Sequence, residues 1–220
     1  VARRETLIRF SALSLRCDCM QIETFPVGML QTNCYVVNCK GTKEAIIIDP
    51  GLDFASEAQP IFSYIDREQL KVKFILNTHG HSDHINGDGV MQKKYSVPIC
   101  IHQLDASLIE DLQKQEGLNN ILLTEDDVIK FGNVNLKVLH TPGHTMGCIC
   151  LVGDKVIFSG DTLFAGSIGR TDFPESSPRH MDGSLRKLLD LPDGLLVYPG
   201  HGEVSLMGQE KRINPFLLDL

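Results

Sequence analysis

The segment Thr78-His79-Gly80-His81-Ser82-Asp83-His84 places three imidazoles and a carboxylate directly after the apolar run Val72–Leu76. Such a run reads as a buried strand, so the fold has to end a strand where several polar groups can converge. Alternate residues of an extended segment face the same way, so His79 and His81 can chelate one ion. Asp83 and His84 lie further round the turn and can face a second ion a few ångströms away. Gly80 has no Cβ, which lets the backbone bend tightly between donors. Nitrogen and carboxylate donors together suit zinc, iron or manganese better than calcium or magnesium. A lone histidine is usually an ordinary surface or core residue, but this density and spacing argue for metal.

Three further positions follow the same grammar of apolar strand, glycine, then a metal-capable side chain. His144 stands in Thr141-Pro142-Gly143-His144-Thr145, Asp161 in Phe158-Ser159-Gly160-Asp161-Thr162, and His201 in Tyr198-Pro199-Gly200-His201-Gly202. Together the candidate ligands are His79, His81, Asp83, His84, His144, Asp161 and His201. Seven donors are too many for one tetrahedral ion and suit two. The expected division gives His79, His81 and His144 to the first and Asp83, His84 and His201 to the second, with Asp161 bridging. Positions left open at each ion mark a catalytic rather than a structural site. His140 is expected to support the turn before His144, His180 to lie near the pocket, and His102 to be structural. Asp49 has two readings, a cap on the turn at Pro50 or a partner that orients a metal ligand.

The rest of the pattern alternates short strands with scattered helices. Strands are expected at Gln21–Val27, Cys34–Asn38, Ala45–Asp49, Lys71–Asn77, Val97–Ile101, Val128–Phe131, Val134–His140, Cys148–Val152, Lys155–Ser159 and Leu195–Tyr198. Helices are expected at Phe54–Ile65, Ile85–Tyr95, Leu104–Gln115, Met181–Leu189 and Gly208–Ile213, with a loop over Gly117–Asp127 and a stop at Asn214-Pro215. Both halves share this rhythm, which points to an α/β (α+β) chain of two sheets packed face to face with helices outside. No composition break marks a linker, so residues 20–220 read as one domain. Residues 1–19, with Arg3, Arg4, Arg9 and Arg16, read as a poorly ordered extension or a weak targeting segment.

The net charge of −7 disfavours nucleic acid as a partner. No apolar run approaches the roughly 18 residues of a membrane helix, so no membrane partner is expected. Seven cysteines without a C-x-x-C pair fit a reducing, cytoplasmic setting, with Cys148 and Cys150 packed as small buried residues. The oligomeric state is left open.

The order His79-x-His81-x-Asp83-His84, His144, Asp161, His201 resembles the metallo-β-lactamase fold superfamily, over the chain from about Met20 onward. The resemblance implies an αββα sandwich of two mixed β-sheets with metals at one edge. Ile48-Asp49-Pro50-Gly51, Thr141-Pro142-Gly143-His144-Thr145 and Gly160-Asp161-Thr162-Leu163-Phe164 are similar to the glyoxalase II-like hydrolases, which cleave thioesters such as S-lactoylglutathione. The sequence runs 19 residues past His201, too few for the C-terminal helical domain of glyoxalase II proper. That favours the short single-domain members. Arg170 matches a basic residue that helps hold the thiol portion.

The resemblance therefore implies a small-molecule thioester as substrate and two divalent ions, zinc before iron or manganese. It implies a metal-bridging hydroxide, hydrogen-bonded to Asp83 or Asp161, as nucleophile. Gly169-Arg170-Thr171-Asp172-Phe173 also resembles the persulfide dioxygenases of the same superfamily. Those hold one iron, here through His79, His144 and Asp161, and this is the alternative function.

Overall fold

The structure is a computed structural model that describes residues 19–109 and 120–220. The basic stretch before Cys19 lies outside the described residues. The first half runs β1 (Met20–Val27), β2 (Thr32–Cys39), β3 (Glu44–Ile48), α1 (Ala58–Arg67), β4 (Lys71–Leu76), α2 (Ser82–Ile85), α3 (Asp88–Tyr95), β5 (Ile99–His102) and β6 (Ile121–Leu123). The second half runs β7 (Val128–Phe131), β8 (Val134–His140), β9 (Ile149–Val152), β10 (Val156–Gly160), β11 (Leu163–Phe164), β12 (Ser167–Ile168), α4 (Pro178–Leu189), β13 (Leu196–Pro199), β14 (Ser205–Leu206), α5 (Met207–Ile213) and α6 (Pro215–Leu218).

Two mixed six-stranded sheets result, ordered β1-β2-β3-β4-β5-β6 and β14-β13-β10-β9-β8-β7. The period of two along β3 shows how they stack. Ile46 and Ile48 point into the core between the sheets, with Tyr35, Leu76, Leu136 and Phe158. Ile47 points the other way, onto Ile61, Ile65, Ile75 and Met91 beneath α1 and α3. On the far side, Ile157 and Val197 meet Met181, Leu185 and Leu188 of α4 and Met207 of α5. The layers are therefore helix, sheet, sheet, helix, as the resemblance implied. Each fully buried aliphatic side chain contributes about 1.5–3 kcal/mol to that stack.

The parallel pairs β3/β4, β4/β5 and β10/β13 aim their carboxyl ends at one edge. There the sheets are fastened together. Tyr35 Oη donates to the Pro199 carbonyl at 2.6 Å, and Asn33 Nδ2 donates to the Pro199 and Gly202 carbonyls at 3.1 and 2.9 Å.

Several expected boundaries are corrected. The loop expected over Gly117–Asp127 contains β6, an edge strand paired with β5 on one side only. The helix expected at Leu104–Gln115 begins, in its described part, as a single 3-10 turn over residues 106–109, and the remainder lies outside the described residues. Ile85–Tyr95 is not one helix, because the chain turns at Asn86-Gly87 where Gly87 N donates to the Pro50 carbonyl at 2.7 Å. Phe54–Ile65 opens with a 3-10 turn, Ala55–Glu57, before α1. Asn214-Pro215 does end α5, but it also starts α6, where Asn214 Oδ1 accepts from Phe216 N. No helix among the described residues is long and apolar enough to cross a membrane.

Candidate metal centre

The loop after β4 carries His79, His81, Asp83 and His84, the turn after β8 carries His144, the end of β10 leads into Asp161, and the end of β13 leads into His201. All seven converge. His79, His81 and His144 bring one donor atom each to a common point, as do Asp83, His84 and His201. His79, His84 and Asp161 form a third such group, between the other two.

The separations identify the arrangement. His81 Nδ1 lies 3.1 Å from His79 Nε2 and 2.8 Å from His144 Nε2. In the second triad His201 Nε2 lies 3.4 Å from His84 Nε2 and 3.2 Å from Asp83 Oδ2. Asp161 Oδ2 is 3.4 Å from His144 Nε2 of the first triad and 3.6 Å from His201 Nε2 of the second, and Asp161 Oδ1 is 3.4 Å from His84 Nε2, so the carboxylate lies between the two triads. His84 Nε2 stands 3.6 Å from Asp83 Oδ2, and donors about 2.1 Å from a tetrahedral ion stand about 3.4 Å from each other. The observed spacings bracket that value.

The opposite nitrogen of every histidine is held. His84 Nδ1 meets Asp49 Oδ2 at 3.0 Å, His144 Nδ1 meets the Arg170 carbonyl at 2.8 Å, and His201 Nδ1 meets the Leu30 carbonyl at 3.1 Å. His79 Nδ1 lies 3.2 Å from Thr78 Oγ1, and His81, which turns its Nδ1 inward, has Nε2 on Glu175 at 3.1 Å. Fixing the outer nitrogen leaves the inner one to face an ion. Asp49 also accepts from Thr78 N and Thr78 Oγ1, both at 2.7 Å, so its side chain serves the ligand loop rather than the turn at Pro50. Glu175 was not legible as part of the site, since nothing near it in sequence resembles a ligand motif.

Two observations show that these residues fit cations. Asp161 Oδ1 is buried without a hydrogen-bond partner, which is costly for a carboxylate facing protein alone. Gly200 leaves room for it: a Cβ there would stand 2.1 Å from Asp161 Oδ1 and 2.8 Å from the His84 ring.

The charges point the same way. Burial and the surrounding imidazoles push His79 well below its ordinary value, so it presents a lone pair. Burial opposes ionisation of Asp83 and Asp161, yet the neighbouring histidines outweigh it and hold both below the usual carboxylate range. Burial also opposes a proton on His84 and His201, but the carboxylates beside them outweigh it and raise both. The carboxylates draw positive charge to the second triad, and a cation held there would take the place of those protons.

A cleft of about 630 Å³ opens over the donors, lined by Leu30, Phe164, Ile168 and Phe173 with Arg170 and Glu175. Arg170 stands at its edge, paired with Asp172 at 2.7 and 2.8 Å and stacked 4.2 Å from the centre of the Phe173 ring. His180 does not line the cleft. It lies against Ser177 Oγ at 2.8 Å at the start of α4. His140 Nε2 meets the Met146 carbonyl at 2.9 Å, across the turn that carries His144, and its ring stacks on His102 at 4.0 Å. Burial, then His140, push His102 down to about 4. Cys148 and Cys150 are buried, as expected.

An αββα sandwich with histidines and aspartates gathered at one edge defines a class of metal-dependent enzymes, and the chain belongs to the metallo-β-lactamase superfamily, whose sequence model matches residues 27–201. Among its relatives is the hydroxyacylglutathione hydrolase GloC of Haemophilus influenzae, 39% identical over 90% of this chain and 98% of that protein. Among solved structures, TTHA1623 in a di-iron-bound form is 32% identical with a TM-score of 0.76, over 89% of this chain and 100% of the other. ETHE1 from Myxococcus xanthus is 26% identical with a TM-score of 0.76, over 89% of this chain and 83% of the other.

Proposed function

We propose that the protein is a binuclear metallohydrolase that cleaves thioesters of the S-lactoylglutathione type. The observation that carries this reading is the meeting of two donor triads at Asp161, whose carboxylate lies within 3.6 Å of His144 in one and of His84 and His201 in the other. The GloC relative and the di-iron neighbour support it. His79, His81 and His144 would hold one ion and Asp83, His84 and His201 the other, zinc in the first instance, with iron or manganese as alternatives. Such a pair supplies a water acidic enough to give hydroxide near pH 7 and a Lewis acid for the carbonyl oxygen.

The protein groups do the remaining work. Asp83, the more exposed of the two acids, takes the proton of the attacking water as the carbonyl carbon gains its oxygen. The C–S bond then breaks, the leaving thiolate takes the proton that Asp83 holds, and the new acid gives its own proton to solvent, so a carboxylate and a thiol result. Leu30, Phe164, Ile168 and Phe173 keep bulk water from the acyl group. Arg170, at the cleft edge, would hold the thiol half.

The rival reading, one iron on His79, His144 and Asp161 for persulfide oxidation, leaves His84 and His201 to hold Asp161 and Asp83 rather than a second ion. Elemental analysis of the purified protein beside a substrate panel tests both. Two ions per chain with turnover of S-lactoylglutathione is the expected result. One iron per chain with oxygen uptake on glutathione persulfide overturns it, as does turnover of a β-lactam alone.

A further inference from the structure

The first triad draws on two loops far apart in sequence, His79-Gly80-His81 after β4 and His144-Thr145 after β8. One buried side chain ties them. Asp105 follows β5 in a tight turn, where its N–H donates to the His102 carbonyl at 3.0 Å, and it is 2% exposed. Its Oδ2 accepts from Gly80 N at 2.9 Å and from Thr145 Oγ1 at 2.7 Å. Its Oδ1 accepts from Gly147 N at 2.8 Å. The backbone is shaped around this group, since a Cβ on Gly147 would stand 2.4 Å from Asp105 Cγ.

We propose that Asp105 is a positioning residue that sets the spacing of the His79, His81 and His144 donors by clamping their two loops to the end of β5. The proposal rests on the metal reading above. Gly80 lies between two donors and Thr145 adjoins the third, so movement of either loop changes the separations that match one ion. The clamp requires a carboxylate. Three donors converge on two oxygens, and both oxygens must accept. An amide of nearly the same shape has one oxygen. If that oxygen serves Gly80 and Thr145, its NH₂ faces the Gly147 N–H; if it is flipped, its NH₂ faces the Gly80 N–H. Either way a buried backbone donor on one loop loses its partner.

The test is a competition titration of the metal-free full chain with zinc and a chelating indicator, resolving two affinities. His201→Ala, which breaks the second triad and leaves the first complete, assigns them. Asp105→Asn is expected to weaken the first-triad affinity by about 10- to 100-fold, the usual cost of losing a ligand's outer partner, and to leave the second within about 3-fold. Glu210→Gln is the control for general destabilisation. Glu210 is a buried carboxylate on α5 that accepts from Gly166 N at 2.8 Å, away from both triads, and its variant is expected to bind both ions as the parent does.

If Asp105→Asn does not fold, Thr145→Val removes one of the three bonds at little change in volume and is expected to weaken the same affinity several-fold. Unchanged first-triad affinity, an equal loss at both triads, or an equal loss in Glu210→Gln overturns the proposal. A parent chain that binds fewer than two ions overturns the metal reading instead.

Discussion

Beneath the His79, His81 and His144 triad, Asp105 uses both carboxylate oxygens, and three donors fill them. Beneath the Asp83, His84 and His201 triad the support is uneven. Asp49 holds His84 firmly, but His201 leans on the carbonyl of Leu30, in a hairpin tip where Leu30 is 66% and Met29 86% exposed. Asn77 Nδ2 reaches the His84 carbonyl at 3.4 Å and Asp88 Oδ1 at 3.1 Å. Neither Asn77 Oδ1 nor Asp88 Oδ2, both buried, finds a partner among the described residues. The lesson is that two donor sets of similar spacing can rest on foundations of different rigidity. Local stability follows buried, satisfied contacts, and an exposed tip opens more readily.

Three experiments bear on that contrast. The largest effect is expected from Asp161→Ala, which removes the one group shared by both triads. Loss of one or both ions and a fall in kcat/KM of at least about 10²-fold are expected, with the far-ultraviolet circular dichroism retained. Near-normal metal content would remove Asp161 from the bridging role.

A smaller effect separates the triads. Under stepwise chelation the ion at Asp83, His84 and His201 should leave first, with a dissociation constant larger by roughly 10-fold. The reverse order, read by repeating the chelation in His201→Ala and His144→Ala, would break the contrast.

The smallest effect concerns the foundation itself. Burial holds the Asp88 carboxyl well above its ordinary value. The folded state therefore keeps a proton there that the unfolded chain has already lost. The stability this gives is complete below the unfolded carboxylate range and is lost as pH rises through the folded value. Asp88→Asn should accordingly raise the thermal midpoint at pH 8, by about 2–4 °C per kcal/mol regained, and lose its advantage at pH 4. An equal shift at both values would mean that Asp88 does not titrate in this way.

The donors were legible because four of them crowd into His79–His84 directly after an apolar run, and His144, Asp161 and His201 each follow an apolar run and a glycine. The central strands were legible for a related reason. Ile46-Ile47-Ile48 and Val134–His140 are long enough to show their burial. β6 was not, because it pairs on one side only and leaves Ile121 and Leu122 exposed, so it reads as loop. The two-residue strands β11, β12 and β14 are too short to show any period. The supporting carboxylates were hidden for a deeper reason. Asp105 and Glu175 sit 25 and 94 residues from the groups in the first loop that they touch, and nothing beside them in sequence marks that partnership. Asp49, at the end of an apolar run, offered a hint that left two roles open, and in the structure its side chain holds His84 and Thr78 rather than the turn at Pro50.

The two sheets divide the donor set unevenly. His79, His81, Asp83 and His84 come from the half that builds the first sheet, and His144, Asp161 and His201 from the half that builds the second. Each triad takes members from both. Neither half, expressed as a separate fragment, owns a complete triad, so cations added to a mixture of the two are expected to act as rivets and draw the fragments together. Reassembly of a split chain should then become a reporter of ion loading, with no substrate needed.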